Sequence, residues 1–272
     1  DDHAADIQSS ADKKQYRRGT GKVGVTVVML VTVLSVAYNS EATIARTIES
    51  VLAQTYPNIE YIIIDGDSKD NTVEIAESFL PQFAEQKGKT LRIISEPDHG
   101  MYDALNKGVV AANGTIIGSI NTDDWYESEA VSVMAELYEQ EHYDAAWGSI
   151  RIKKNTGDMI KHAKLGSFWT TNGWCHPAMF ATKKILTEFP YACRDMYDDF
   201  NFITSVHCAG KKIVTIDKVI SNFSFGGMST RKSLKEVWYR ARIKYNIYRS
   251  HGMSRWYWVH CLSMETAKYI LG

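Results

Sequence analysis

The segment YIIID at residues 61–65 places four apolar residues directly before an acid. A continuous apolar run that is rich in isoleucine predicts a strand buried on both faces. The stretches on either side predict helices. One covers residues 40–54 and is capped by Asn39 or Ser40, and the other ends at Pro81. A buried strand between two helices indicates a parallel sheet that is covered by helices.

The same alternation extends in both directions from this segment. Apolar runs predict further strands at residues 32–37, 91–95 and 115–120, and a helix at residues 101–112 that Gly114 terminates. We therefore expect an α/β fold with a mostly parallel, Rossmann-like central sheet that is flanked by helices.

The alternation stops after Trp125, and the second half is more irregular. Residues 162–182 are aromatic and predict no regular element. The other segments predict helices at 127–141 and 199–208 and strands at 146–153 and 212–216.

The composition excludes several classes of protein. The 272 residues include 31 Lys and Arg against 32 Asp and Glu, so no basic coat for nucleic acid is present. The four cysteines form no CxxC pair, which argues against a disulfide framework and a structural zinc site. This cysteine content fits a reducing, cytoplasmic compartment.

The two ends of the chain differ from its middle. Residues 1–22 are a polar leader, and residues 23–40 form an uncharged run that favours strand but whose partial insertion into a membrane stays open. Residues 230–272 predict a helical tail that carries nine Lys and Arg, two Glu and eight Trp and Tyr. This tail fits either an anionic membrane surface or a surface helix whose aromatic residues pack on the main domain.

Several polar side chains follow the carboxyl ends of the predicted strands, where open parallel sheets bind ligands. They are Tyr38, Asn39, Asp65, Asp123 and Asp124. Clustered carboxylates suit Mg²⁺ or Mn²⁺, and such an ion would hold a diphosphate. No GxxxxGK[ST] loop is present in the sequence, and the GxGxxG pattern at residues 19–24 precedes the first predicted strand instead of following it, so it does not predict a phosphate loop.

These segments resemble family 2 glycosyltransferases of the bacterial polysaccharide branch, which have the GT-A fold. The resemblance runs from about residue 33 to residue 229. The motifs that carry it are SVAYN at 35–39, SVLAQ at 50–54, IDGDSKDNT at 64–72, SEPDHGMYDALNKG at 95–108 and GSINTDDWY at 118–126.

The resemblance implies a nucleotide-sugar half at 23–126 and an acceptor half at 127–229. Asp124, with Asp123, is implied to hold the metal. The sequence departs from the family pattern at Asn121, where the first acid of the DXD motif is usual, and at Asp67, where glycine is usual. The residues implied to bind the nucleotide sugar are Ala37, Tyr38, Asn39, Glu41, Asp65, Asn106, Asn121 and Asp123.

Inverting transfer needs a carboxylate that deprotonates the acceptor hydroxyl. The resemblance implies Asp199 as this base and Asp198 as an acceptor contact. The alternative register makes Asp198 the base, and Asp195 is a third candidate. Similarity to further family segments places Trp174 and His176 on the acceptor side, and Gly226 and Gly227 in a loop over the diphosphate.

We therefore expect an inverting glycosyltransferase in cell-surface polysaccharide synthesis. Its partners would be a nucleotide-diphosphate-sugar donor, a glycan or lipid-linked acceptor, and the inner membrane face through the tail, but no nucleic acid. The alternatives are an inactive nucleotide-sugar-binding scaffold and a nucleotidyltransferase, which should carry a glycine-rich phosphate loop after the first strand.

Overall fold

The computed structural model describes residues 28–154, 157–166, 169–224 and 233–271. The strands are β1 Val31–Ala37, β2 Ile59–Asp65, β3 Lys89–Ser95, β4 Ile116–Ser119, β5 Trp125–Tyr126, β6 Ala145–Lys153, β7 Met159–Lys161, β8 Met179–Thr182 and β9 Ile213–Ser224. The helices are α1 Ile44–Leu52, α2 Thr72–Glu77, α3 Leu80–Glu85, α4 Met101–Ala111, α5 Ala130–Glu141, α6 Lys183–Glu188, α7 Asp198–Cys208, α8 Leu234–Ser250 and α9 Tyr257–Leu271.

The first four strands all pair in parallel, in the order β3-β2-β1-β4. Every residue of β2 is buried, as the apolar run predicts. The register pairs Ala37 with Asp65 and Asp65 with Ser95, so three strands end level at one edge. The expected mixed α/β fold with a mostly parallel sheet and C-terminal helices is confirmed.

The second half continues the same sheet in the order β8-β6-β9-β5, with β7 beside β6. Strand β8 runs antiparallel between β4 and β6, although it lies in the stretch expected to be irregular. Strand β5 pairs with the end of β9, where Trp125 faces Asn222. This pairing holds Asp124 beside Ser224, a hundred residues away in sequence.

Two details of the predicted helix ends are wrong. Pro81 is the second residue of α3 instead of the end of α2, because a proline at the first helical positions loses no hydrogen bond. Helix α1 begins after Thr43 without a side-chain cap, and the Ser40 N–H instead donates to the hydroxyl of Thr72, the first residue of α2. Helix α4 ends at Ala111, within one residue of its predicted end, and the backbone of Gly114 lies close against Thr32 of β1.

The tail forms two helices, α8 and α9, that pack on each other and on α7. Tyr248 is buried and contacts both Phe200 and Tyr257. Trp238 and Trp256 remain 54% and 78% exposed. The aromatic residues are therefore divided between packing and surface. Across the described residues, no helix is both long enough and apolar enough to cross a bilayer.

Candidate functional site

The loop after β1 is held open by hydrogen bonds to the loop after β2. Asn39 has a positive φ of 48°. Its side-chain oxygen accepts a hydrogen bond from the Lys69 N–H, and its own N–H donates to Ser68. This arrangement leaves the Tyr38 ring 64% exposed at the end of the strand.

Gly66 forms the floor between Tyr38 and Asp98. A Cβ atom at Gly66 would lie 2.6 Å from the Asp98 carboxylate and 3.4 Å from the Tyr38 ring. A side chain at this position would therefore fill the space between them. A glycine there keeps a narrow cleft beside the exposed aromatic ring, a shape that suits a flat ring.

Asp65 lies below this cleft and is fully buried. Its carboxylate accepts hydrogen bonds from the Ser68 N–H, the Ser68 hydroxyl and the Ser95 hydroxyl, at 3.0, 2.5 and 2.7 Å. These bonds fix the turn that follows β2.

Two residues expected to bind the donor make contacts within the protein. Glu41 accepts two hydrogen bonds from Asn71, at 3.1 and 2.8 Å. The Asn106 amide bonds both the N–H and the C=O of Tyr191, at 3.0 and 2.9 Å. Asn106 thereby fastens α4 to the segment that leads into α7.

Asp123 and Asp124 follow β4 at the same edge of the sheet. Asp124 is fully buried, and its Oδ1 accepts a hydrogen bond from the Ser224 N–H at 2.9 Å. Its Oδ2 is buried and has no hydrogen-bond partner among the residues that the structure describes. Burial, with a smaller effect from Asp123, raises the pKa of Asp124 to about 8.

A divalent cation fits this pair of carboxylates. A buried carboxylate oxygen without a partner costs free energy that an oxygen-binding ion such as Mg²⁺ or Mn²⁺ removes. Asp124 and the neighbouring Asp123 are the residues that could hold it. Within the described part of the chain, no group of three His, Cys, Asp or Glu side chains is placed to do so alone.

The main cavity lies beside this edge and has a volume of about 520 Å³. Asn121, from the loop after β4, lines it on one side. Asp199 at the start of α7 lines it on another, together with Tyr102, Trp174 and His176. Helices α8 and α9 complete its wall, so the tail is part of the site.

Asp199 is held by two donors. Its Oδ1 accepts a hydrogen bond from the Tyr102 hydroxyl at 3.2 Å, and its Oδ2 accepts one from Trp174 Nε1 at 3.0 Å. His176 Nδ1 lies 3.7 Å from Oδ2. Burial lowers the pKa of His176 while Asp199 opposes this, and His176 Nε2 is buried with no hydrogen-bond partner in the described part of the chain.

The other two candidate bases point elsewhere. Asp198 is 2% exposed and accepts a hydrogen bond from the Arg194 N–H at 2.6 Å. Burial raises the pKa of Asp198. Asp195 accepts a hydrogen bond from the Tyr197 N–H. Of the three carboxylates, Asp199 is the one that lines the main cavity.

The sequence analysis missed Arg46 and the lysines of the cavity wall. Arg46 donates to the Asp123 carbonyl oxygen at 2.7 Å and lies over the Trp125 ring at 3.8 Å. Arg46 lies on the polar side of α1, where its sequence pattern is that of an ordinary solvent-exposed arginine. The sequence therefore does not identify it as a site residue. Gly226 and Gly227 lie outside the described residues.

Comparisons with known proteins identify the family and the fold. Residues 32–202 match the family model described as "Glycosyl transferase family 2". A "PGL/p-HBAD biosynthesis glycosyltransferase" of Mycobacterium tuberculosis is 29% identical over 199 residues, which cover 70% of this chain and 75% of the relative.

Solved structures share the fold. S. aureus TarS in complex with UDP-GlcNAc has a TM-score of 0.64 and 15% identity, over 89% of this chain and 73% of TarS. The mannosyltransferase PcManGT from Pyrobaculum calidifontis, in complex with GDP-Man and Mn²⁺, has a TM-score of 0.64 and 14% identity, over 89% and 74%. The chain therefore belongs to glycosyl transferase family 2 and is a glycosyltransferase with the GT-A fold.

Proposed function

We propose that this enzyme transfers a sugar, with inversion, from a nucleotide-diphosphate-sugar donor to a hydroxyl group of a glycan or lipid-linked acceptor in cell-surface polysaccharide synthesis. The observation that carries the proposal is the main cavity, which Asp199 and Asn121 both line. Asn121 lies in the loop after β4 that also carries Asp123 and Asp124. Inversion needs a base opposite the leaving group, and Asp199 is the candidate base that lines this cavity.

Asp199 is the proposed base. The Tyr102 and Trp174 donors orient its carboxylate, so that an acceptor hydroxyl in the cavity would give its proton to Asp199 as its oxygen attacks the anomeric carbon. His176 is held neutral by burial and lies beside the same oxygen. It can therefore help position the acceptor without competing for the proton.

Asp124 and Asp123 are the proposed ligands of Mg²⁺ or Mn²⁺. The ion, when bound, would neutralise charge on the leaving diphosphate. Arg46 holds the backbone of this loop through the Asp123 carbonyl, so the two carboxylates stay beside the cavity. The donors in the TarS and PcManGT complexes, UDP-GlcNAc and GDP-Man, support a nucleotide sugar here.

The exposed tail supports peripheral contact with the inner face of an anionic membrane. Helix α8 leaves Trp238 and Tyr239 about half exposed, and α9 leaves Val259 and Ile270 more than half exposed. Nine cations accompany them in the tail. Apolar side chains that insert into the membrane interface and cationic side chains that contact anionic headgroups both contribute to the free energy of membrane binding.

Vesicle sedimentation tests the membrane proposal. Trp238→Ser and Trp256→Ser should each lower the bound fraction of the full chain on phosphatidylglycerol vesicles. Val110→Ser, which removes an 81% exposed apolar side chain from α4, should not. Equal binding by all three variants and the parent chain would contradict a tail-mediated contact.

A donor screen tests the enzymatic proposal. UDP-, GDP- and dTDP-sugars are offered with Mn²⁺, with EDTA, and to the Asp124→Ala variant. We expect metal-dependent binding and slow hydrolysis of one donor, both lost in the variant. Binding of no donor, in the presence of vesicles as well, would overturn the proposed function.

A further inference from the structure

The wall of the main cavity carries more cations than carboxylates. The carboxylates Asp199, Glu236 and Glu265 face it from α7, α8 and α9. Five cationic side chains surround them: Lys154, Lys161, Arg240, Lys244 and Lys268. Apolar side chains such as Ile150, Ile152 and Phe223 line the remainder.

Two of these lysines form ion pairs with the same buried carboxylate, that of Glu265. Lys244 Nζ lies 2.5 Å from Glu265 Oε1, and Lys268 Nζ lies 3.1 Å from the same oxygen. Glu265 and Lys244 are almost completely buried, whereas Lys268 is 57% exposed. Since one negative charge balances one positive charge, this cluster keeps a surplus cation at the mouth of the cavity.

Lys161 of β7 lines the same cavity as Lys268. Its ammonium group donates to the Trp174 carbonyl oxygen, a neutral partner. Burial lowers the pKa of Lys161, and Lys268 lowers it further, while Cys175 and Asp199 oppose this effect. Lys161 and Lys268 therefore repel each other across the cavity, and an anion between them would relieve that repulsion.

We propose that the acceptor carries an anionic group, a phosphate or a carboxylate, that binds between Lys161 and Lys268 beside Asp199. The inference rests on the proposed function, since it assigns a substrate class to the same cavity. An acidic acceptor would otherwise be repelled by the base that must approach its hydroxyl. The two lysines offset that repulsion and fix which end of the acceptor faces Asp199.

Isothermal titration of the full chain in EDTA tests this site. The probes are pyrophosphate and methyl phosphate for a phosphate source, methyl glucuronide for a carboxylate source, and methyl glucoside as the neutral control. EDTA removes the cation that would hold pyrophosphate at Asp123 and Asp124. We expect at least one anionic probe to bind more tightly than methyl glucoside, and the stronger class identifies the anionic group.

Lys161→Met and Lys268→Met should each weaken anion binding about tenfold, the effect of losing one hydrogen bond to a charged group. Lys268 is half-exposed, so its variant stays informative if Lys161→Met fails to fold. Lys184→Met, an exposed lysine on α6 outside the cavity, is the matched control.

Two results would overturn the proposal: no anion binds more tightly than methyl glucoside, or neither cavity lysine affects binding. Asp124→Ala should leave anion binding in EDTA intact. A failed donor screen with intact, lysine-dependent anion binding would therefore count against the proposed function and leave this site standing.

Discussion

Asp124, in the loop after β4, and Asp199, in the wall of the main cavity, differ in how the protein hydrogen-bonds their carboxylates. One oxygen of Asp124 accepts a hydrogen bond from the Ser224 N–H, and the other is buried with no partner within the described ranges. Asp199 has both oxygens on side-chain donors, Tyr102 and Trp174. Among the described residues, one oxygen of Asp124 therefore lacks a hydrogen-bond donor, whereas both oxygens of Asp199 have one.

This difference separates two environments of a carboxylate. Asp124 resists ionisation in the protein alone, since burial raises its pKa to about 8. A bound cation would favour its ionised form. Asp199 is oriented before any ligand arrives, which suits a group that must accept a proton from a defined direction. Three substitutions, two of them with matched controls, test the contrast.

The largest effect is expected for Asp199→Asn. An amide of the same shape cannot accept the acceptor's proton, so turnover of the donor found in the screen should fall roughly 10²–10⁴-fold. Donor affinity, measured by titration calorimetry, should change little because the metal ligands are untouched.

Asp195→Asn is the matched control for this substitution. Asp195 lies four residues earlier, and its carboxylate accepts a local backbone hydrogen bond from the Tyr197 N–H. It should keep most of the turnover. Comparable losses in both variants would remove Asp199 from its proposed role as the base.

Asp124→Asn should change the pH dependence of stability in EDTA. The folded-state pKa lies near 8, and a free aspartate titrates near 3.9. Between these values the folded chain keeps a proton that the unfolded chain releases. The parent chain should therefore lose stability relative to the variant as pH rises from about 4 to 8, by up to about 1.4 kcal/mol per pH unit.

Urea unfolding of both proteins at several pH values measures this difference. Mn²⁺ should remove much of the loss in the parent chain and have little effect on the variant. A stability difference that stays constant with pH would show that Asp124 is already ionised in the metal-free fold.

Trp174→Phe tests whether positioning alone matters at the cavity carboxylate. The substitution removes the 3.0 Å hydrogen bond to Asp199 and keeps an aromatic ring against Trp147. We expect kcat to fall about tenfold, the effect of one hydrogen bond to a charged group, with the donor KM unchanged.

Trp169→Phe is the corresponding control. Trp169 Nε1 also donates to a side-chain oxygen, that of Thr204, but its partner is not part of the proposed chemistry. The substitution should leave kcat unaltered. If both variants lose activity equally, loss of packing rather than of orientation explains the result.

The parallel half of the fold could be predicted because its signals are local. The apolar runs of β1, β2 and β4 each identify a buried strand, that of β3 identifies a partly buried edge strand, and the polar residues at the strand ends mark the ligand edge. Strand β8 could not be predicted, because four residues, Met179–Thr182, form a strand only by pairing with β4 and β6. Such pairing depends on residues distant in sequence.

The site residues likewise differ in how far the sequence alone predicts them. Adjacent acids at a helix start leave the choice between Asp198 and Asp199 open, and only the packing of α7 turns one inward and the other toward Arg194. Lys161 and Lys268 are indistinguishable in sequence from solvated lysines. Their meeting in one cavity follows from how β7 and α9 pack.

The smallest effect is expected at Asp67, where the chain departs from the glycine usual in the resembling family. Asp67 has a φ of 64°, in the left-handed region that favours glycine, and its carboxylate pairs with Lys69 at the surface. Asp67→Gly should shift stability by less than about 1 kcal/mol, since relief of the strained backbone opposes the larger entropy of glycine in the unfolded chain. Asp67→Val, which places a β-branched residue in the same conformation, should destabilise the fold by about 1–2 kcal/mol in urea unfolding.

Equal stability of the two variants would mean that this turn relaxes to a negative φ. The geometry of the cleft between Tyr38 and Asp98 would then depend on Gly66 alone.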